Sequence, residues 1–344
     1  MVVAGRAKRR GEQHFGRPVK VAALATHVPP RVMNNTDFEK LVDTTDEWIR
    51  QRTGVVERHV VEPGVGTSAL AVPAAKQAIA QAGLTPDDID LIVVGTTTPD
   101  TVFPSTACLI QHQIGASNAW GFDLGAACSG FTYALTTAAE LVSTGSHRHA
   151  LAIGADVMSS ILDYEDRATC VLFGDGAGAV VVSPAADDEP AIIDFAHEID
   201  GSGAPALRMP AGGSLRPASH ETVNQRLHFV QQDGQAVFKF AVRKTEECCR
   251  RILAQNAIGV DRLDLFVSHQ ANKRIIMSAA ARLGLDEKKV VINIDRYGNT
   301  TGATIPLALS DALADGRLKK GDLVLLVSVG AGFTVGSVLL RWAF

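Results

Sequence analysis

No apolar run among the 344 residues approaches the ~20 needed to cross a bilayer, so neither a membrane-spanning helix nor a membrane partner is expected. Cysteine is scarce: Cys108, Cys128, Cys170, Cys248 and Cys249 are an odd number with no C-x-x-C spacing. That argues against a disulfide framework and a zinc site, and it fits a reducing cytoplasm. Positive charge is not in excess, with 33 Lys and Arg against 37 Asp and Glu and a net charge of −4. A general nucleic-acid binder is thereby disfavoured. The first 20 residues do carry Arg6, Lys8, Arg9, Arg10, Arg17 and Lys20, but no apolar stretch of a secretion signal follows. A loose basic tail over residues 1–18 is the expectation. The glycine-rich run 174–178 lacks the Lys-Ser/Thr of a phosphate loop and leads into a strand, so it is read as backbone packing.

What is present is alternation. Strand-like Val/Ile/Leu runs at 91–94, 150–153, 180–182, 265–267, 290–294, 323–327 and 338–340 alternate with helical periods at 70–82, 131–142 and 303–314. Continuous apolar strands between helices indicate sheets buried on both faces, the α/β class. The chain also repeats itself: residues 80–93 align without gaps on 254–267, Phe122-Asp123 ahead of Gly130 mirrors Ile294-Asp295 ahead of Gly302, and Gly178-Ala-Val-Val-Val mirrors Gly336-Ser-Val-Leu-Leu. The period is too long for a solenoid and predicts two copies of one half-domain. The expected organisation is a first half over 19–190, a turn-rich connecting and cover region over 191–235, and a second half over 236–344. Loops of that length are often functional covers.

Three reactive side chains follow predicted strands. Cys128 comes after 121–126 and opens a helical pattern, where exposed N–H groups favour a thiolate. His269 comes after 263–268, and Asn299 comes after 290–294. The carboxyl edge of an α/β sheet is where ligands bind. Cysteine can carry an acyl group, while histidine and asparagine can donate hydrogen bonds to an oxyanion. Cys/His/Asn fits either a papain-type hydrolase or a carbon–carbon bond-forming acyl transferase.

At these residues the sequence resembles the β-ketoacyl-acyl-carrier-protein synthase III family of the thiolase superfamily. The likeness rests on Asp43-Thr-Thr-Asp-Glu-Trp-Ile-Arg-Gln-Arg-Thr-Gly54, Phe103-Pro-Ser-Thr-Ala-Cys108, Ala126-Ala-Cys-Ser-Gly-Phe131, Phe173-Gly-Asp-Gly-Ala-Gly178, Ser268-His-Gln-Ala-Asn-Lys-Arg274, Gly298-Asn-Thr300 and Gly330-Ala-Gly-Phe-Thr334. The resemblance implies a thiolase-like, internally duplicated five-layer α-β-α-β-α fold. It implies a decarboxylating Claisen condensation of an acyl-CoA primer with malonyl-acyl carrier protein, initiating fatty-acid synthesis without a metal or other cofactor. Cys128 would carry the acyl group, His269 and Asn299 would hold the malonyl-derived enolate, and the N–H groups of Cys128 and Ala331 would form a second oxyanion site.

The resemblance also places Trp48, Arg52 and Arg167 on CoA, and Phe103 at the end of the partner's acyl channel in a homodimer, favouring a short, acetyl-like primer. Gln270, Ala271, Asn272, Lys273, Arg274 and Lys239 would receive the carrier protein. A related synthase of secondary metabolism and a cysteine-dependent thioester hydrolase are the competing readings. Ser129, Ser268 and Ala331 depart from the family's common alanine, proline and glycine, and none removes a catalytic group.

Overall fold

The structure is a computed structural model, and it describes residues 16–344. The expected basic tail therefore lies outside the described residues except for 16–18. There Arg17 is already tied to the body, donating from Nε to Val142 O at 2.9 Å and from Nη2 to His147 O at 2.8 Å.

The first half runs β1 (Val19–His27), β2 (Val32–Asn34), α1 (Asn35–Phe38), α2 (Asp46–Thr53), β3 (Glu57–His59), α3 (Thr67–Gln81), β4 (Leu91–Gly95), α4 (Thr106–Ile114), β5 (Trp120–Leu124), α5 (Gly130–Ser143), β6 (Ala150–Val157), α6 (Arg167–Cys170) and β7 (Asp175–Pro184). The chain continues as β8 (Ile192–Ile199), β9 (Leu207–Arg208), α7 (His220–Asn224), β10 (Gln231–Gln232), α8 (Gly234–Gln255), β11 (Leu265–Ser268), α9 (Lys273–Leu283), α10 (Ile294–Tyr297), α11 (Thr304–Ala314), β12 (Leu323–Gly330) and β13 (Thr334–Arg341).

Two sheets carry the duplication. The first has the order β1-β7-β6-β4-β5 and the second β8-β13-β12-β11, the same winding with one strand fewer. In each, parallel pairs (β4 with β5 and β6; β11 with β12) adjoin antiparallel ones. Helices α5 and α11 lie between the sheets, where Phe131, Leu135, Ile305 and Leu309 share one core with Val93, Val180, Val267 and Leu326. Helices α3 and α4 cover the outer face of the first sheet through Leu70, Ile79 and Ile110. Helices α8 and α9 cover the second through Ile252, Leu253 and Ile276. The layers are thus α-β-α-β-α. No helix among the described residues is long and apolar enough to cross a membrane.

Two expectations are corrected. Residues 290–294 do not form a strand: Val290 makes a single bridge to Phe266, and the chain then turns into α10. The backbone groups that would have extended the ladder are taken by a side chain instead. The Gln270 amide donates to Val291 O at 3.1 Å and accepts from Asn293 N–H at 3.1 Å. Conversely, residues 192–199, expected in the connecting region, form β8, the edge of the second sheet paired to β13. Their polar residues (Asp194, His197, Glu198) suit an edge strand and hid them in a turn-rich neighbourhood.

Candidate active site

Cys128 stands at the corner between β5 and α5, in a single 3-10 turn (Ala127–Ser129). Ala127 has φ 47°, a left-handed conformation costly for a residue with a Cβ. The corner is backed by Gly330 of β12, where a Cβ would fall 2.7 Å from Cys128 N and 3.1 Å from Ser129 N, so only glycine fits. Cys128 is 8% exposed. Burial, reinforced by the nearby Asp156 carboxylate, pushes its thiol up to about 12. The N–H groups at the helix start act in the opposite direction and favour the thiolate, so burial and local backbone polarity compete at this sulfur.

His269 follows β11 directly and stays on the sheet through its N–H, which donates to Val327 O at 2.8 Å. Burial depresses its imidazole to about 3, so it rests neutral. Nδ1 lies 2.6 Å from Thr304 Oγ1, while Nε2 is buried with no hydrogen-bond partner among the described residues. Asn299 is held by the first half: its N–H donates to Leu172 O at 2.9 Å and its carbonyl accepts from Gly174 N–H at 3.1 Å. Its Oδ1 accepts from Thr301 N–H at 2.9 Å, which leaves the side-chain NH2 as the donor offered to a ligand.

Cys128, His269 and Asn299 line one cavity of about 200 Å³, which reaches past Asn272 and Phe238 to Arg52. Cys128 also lines a second cavity of about 140 Å³, walled by Met158, Ile161, Leu207, Met209, Val230 and Ala331. Leu207, Met209 and Val230 come from the 191–235 segment, which thus contributes a wall of the site. Cys128 sits where a polar-mouthed cavity meets an apolar one. Among the described residues, no cluster of His, Cys, Asp and Glu is suited to hold a metal ion.

The outlying residues divide. Trp48 and Arg52 are one helical turn apart on α2, and Arg167 stacks its guanidinium 5.0 Å over the Trp48 ring while donating to Asp43 O at 2.7 Å. The cation on the indole is thus Arg167 and not Arg52, which lies at the cavity. Lys239, Lys273 and Arg274 are exposed and form no ion pair among the described residues, and Arg274 lies 5.5 Å over the Phe238 ring. Arg243, Arg250 and Arg282, in contrast, are engaged with Glu246 and Glu247.

Gln270 is a correction: it is 1% exposed and committed to the backbone of 291–293, so it cannot touch a docked protein. Ala271 lines the cavity, and so does Asn272, which caps α9 through Arg274 N–H at 2.8 Å and donates to Arg52 O at 3.0 Å. Phe103 is 83% exposed and lines neither cavity of its own chain.

Sequence reasoning missed three participants. Thr304 contacts the His269 ring, and Thr301 orients Asn299. Buried Asp156 accepts from Thr97 N–H at 2.7 Å and from Gly302 N–H at 2.9 Å, joining the two halves beside Cys128. Burial raises Asp156 above the usual carboxylate range, against those hydrogen bonds. The hydroxyl-rich run 299–304 was the available signal.

A duplicated α/β frame that gathers a buried cysteine, a histidine and an oriented asparagine on one cavity defines an enzyme of the thiolase fold. Comparison with known proteins narrows this. The family described as 3-oxoacyl-(acyl-carrier-protein) synthase III matches residues 122–201, and the C-terminal part of the same family matches 253–342. A β-ketoacyl-acyl-carrier-protein synthase III of Solibacter usitatus is 58% identical over 94% of this chain and 99% of its own; one of Koribacter versatilis is 55% identical over 95% and 99%. The crystal structure of 3-oxoacyl-acyl-carrier-protein synthase III from Aquifex aeolicus superposes with a TM-score of 0.87 at 41% identity, covering 94% of this chain and all of that one. The chain belongs to the β-ketoacyl-acyl-carrier-protein synthase III family, a family of condensing acyltransferases.

Proposed function

We propose that the chain catalyses the decarboxylating condensation of a short acyl-CoA primer with malonyl-acyl carrier protein, giving 3-ketoacyl-acyl carrier protein at the start of fatty-acid synthesis. The observation that carries this reading is the place of Cys128 at the junction of two cavities, with the free Nε2 of His269 and the fixed amide of Asn299 in one of them.

The Cys128 thiol needs a base as its sulfur forms the new bond, and the unprotonated Nε2 of His269 in the same cavity is the group placed to act. His269 Nε2 takes the Cys128 proton, and the thiolate attacks the acyl-CoA carbonyl. The N–H groups of Cys128 and Ala331 hold the tetrahedral oxyanion, the carbon–sulfur bond to CoA breaks, and CoA leaves as a thiolate that solvent protonates. Malonyl-carrier then loses carbon dioxide, and the electron pair passes to the thioester oxygen, where the His269 Nε2–H and the Asn299 NH2 receive it. The resulting carbanion attacks the acyl carbon, the bond to Cys128 breaks, and the thiolate recovers its proton from His269. No metal or other cofactor enters the cycle.

The apolar cavity takes the primer chain. An apolar cavity of ~150 Å³ accommodates benzene, so 140 Å³ holds roughly six carbons or fewer. Trp48, Arg52 and Arg167 hold CoA at the polar mouth. Lys239, Lys273 and Arg274, with Ala271 and Asn272 behind them, meet the acidic carrier protein. The exposed tip Val102–Phe103 supports a homodimer in which Phe103 closes the partner's primer channel. A cytoplasmic location is part of the same proposal.

The test is a panel of acyl-CoAs of rising length, read by intact mass, with Cys128→Ala as control, followed by addition of malonyl-acyl carrier protein. Adducts with short primers and a ketoacyl product are expected. No adduct, preference for long primers, or release by water without product contradicts the proposal.

A further inference from the structure

Thr304 Oγ1 has one proton and two neighbours, His269 Nδ1 at 2.6 Å and the carbonyl oxygen of Thr301 at 3.1 Å. A carbonyl oxygen only accepts, so the bond to Thr301 O uses the hydroxyl proton. The Thr304 oxygen can then only accept from the ring, which places the imidazole proton on Nδ1. That leaves a lone pair on Nε2, the buried nitrogen without a protein partner in the cavity shared with Cys128 and Asn299. Thr304 begins α11, and Thr301, which presents the carbonyl, also orients Asn299. The backbone at 301 thereby sets both polar groups of the second half.

We infer that Thr304 is a positioning residue for catalysis: with its proton committed to Thr301 O, it locks His269 as the Nδ1–H tautomer and makes Nε2 the single site of proton exchange. The inference rests on the reaction proposed above. In that cycle Nδ1–H never leaves Thr304. Nε2 takes the proton from the Cys128 thiol, presents it to the malonyl-derived oxyanion, and returns it to the Cys128 thiolate, so proton and charge balance over one turnover. If the hydroxyl instead turned to Nδ1, Nε2 would already carry hydrogen and could not accept the thiol proton.

The test combines spectroscopy and kinetics on the full chain. In 15N-labelled wild-type protein near neutral pH, the His269 ring is expected to show a protonated Nδ1 and a pyridine-like Nε2; the reverse pattern overturns the inference, whatever the activity. Thr304→Val keeps the side chain's shape but removes the hydroxyl. It is expected to lower kcat about ten- to a hundredfold with KM within about twofold, and to slow Cys128 acylation as a function of pH. Thr304→Ser should restore wild-type kcat and the ring spectrum. Wild-type kcat and pH profile in a folded Thr304→Val, or failure of a folded Thr304→Ser to restore them, refutes the inference alone. Absence of any acyl adduct in wild-type protein refutes the reaction it rests on instead.

Discussion

The two halves turn the same corner in different ways. Ala127 and Thr301 both have positive φ, 47° and 52°, and each opens a single 3-10 turn that leads into a helix of the central layer, α5 and α11. One residue further on, the first half has Cys128 and the second has Gly302. A Cβ at 302 would lie 3.1 Å from Gly95 O and 3.2 Å from Asp156 Oδ2, inside the seam between the halves. The second corner therefore carries no nucleophile and instead orients Asn299 through Thr301 and His269 through Thr304. Both halves thus have a strained turn that opens a central helix; in the proposed reaction the first turn carries the bond-forming sulfur and the second positions the groups that move protons and hold negative charge.

Removing the Cys128 thiol should break the comparison most severely. Cys128→Ala is expected to abolish the acyl adduct and to lower condensation by at least about a thousandfold. Damage to the second corner should separate the two stages. Asn299→Asp keeps the acceptor for Thr301 N–H but loses the donor, so condensation should fall about a hundred- to thousandfold while the Cys128 adduct still forms. Equal loss of acylation in that variant would show that the halves do not divide the work.

Gly330→Ala tests the packing behind the first corner. Its Cβ would press on Cys128 N, costing about 1–3 kcal/mol in denaturant unfolding and displacing the nucleophile, so kcat should fall more than stability explains. An unchanged kcat would separate Gly330 from the site.

Burial of His269 also predicts a pH effect on stability. Its imidazole is depressed from 6.5 to about 3 in the folded chain, so below pH 6.5 the unfolded chain binds a proton that the folded one does not. Stability from this group is present above 6.5 and is lost as pH falls towards 3, by about 1.4 kcal/mol per pH unit. Between pH 7 and 5 the wild type should lose about 2 kcal/mol more than His269→Gln. The raised carboxyls of Asp156 and Asp175 act in the opposite sense and are common to both proteins. Equal losses would place charge on His269 in the folded state.

The smallest effect is expected at the surface. Lys239→Glu should raise KM for the carrier substrate severalfold at low salt and little at high salt. Indifference to salt would remove Lys239 from the carrier surface.

Much of this frame was legible in the residues because it is written in periodicity. Buried parallel strands read as continuous apolar runs, and the match of 80–93 with 254–267 anticipated two sheets of equivalent winding. The register of the repeat at the active corner was less legible: the sequence match pairs Gly130 with Gly302, whereas the folded corners pair Cys128 with Gly302, because backbone φ and not side-chain identity marks the equivalence. Residues 290–294 have strand composition, but strand formation needs a partner ladder, and the Gln270 side chain ends it after one bridge. The same commitment removes Gln270 from the surface that its motif suggested. Thr304 could not be paired with His269 from spacing, since 35 residues separate them and only the packing of α11 against β11 joins them. At Cys128 the local N–H groups were legible in the sequence, whereas the opposing desolvation is a property of the assembled fold.

The central claim is that Cys128 carries an acyl group which the second half then helps to condense. The most direct measurement is intact mass of the chain after a short acyl-CoA, and again after malonyl-acyl carrier protein. The account predicts the mass of one acyl group on Cys128, absent in Cys128→Ala, then cleared with formation of an equal amount of 3-ketoacyl-acyl carrier protein. A chain that stays unmodified, or that sheds the acyl group to water at the same rate with and without malonyl-acyl carrier protein, would contradict it.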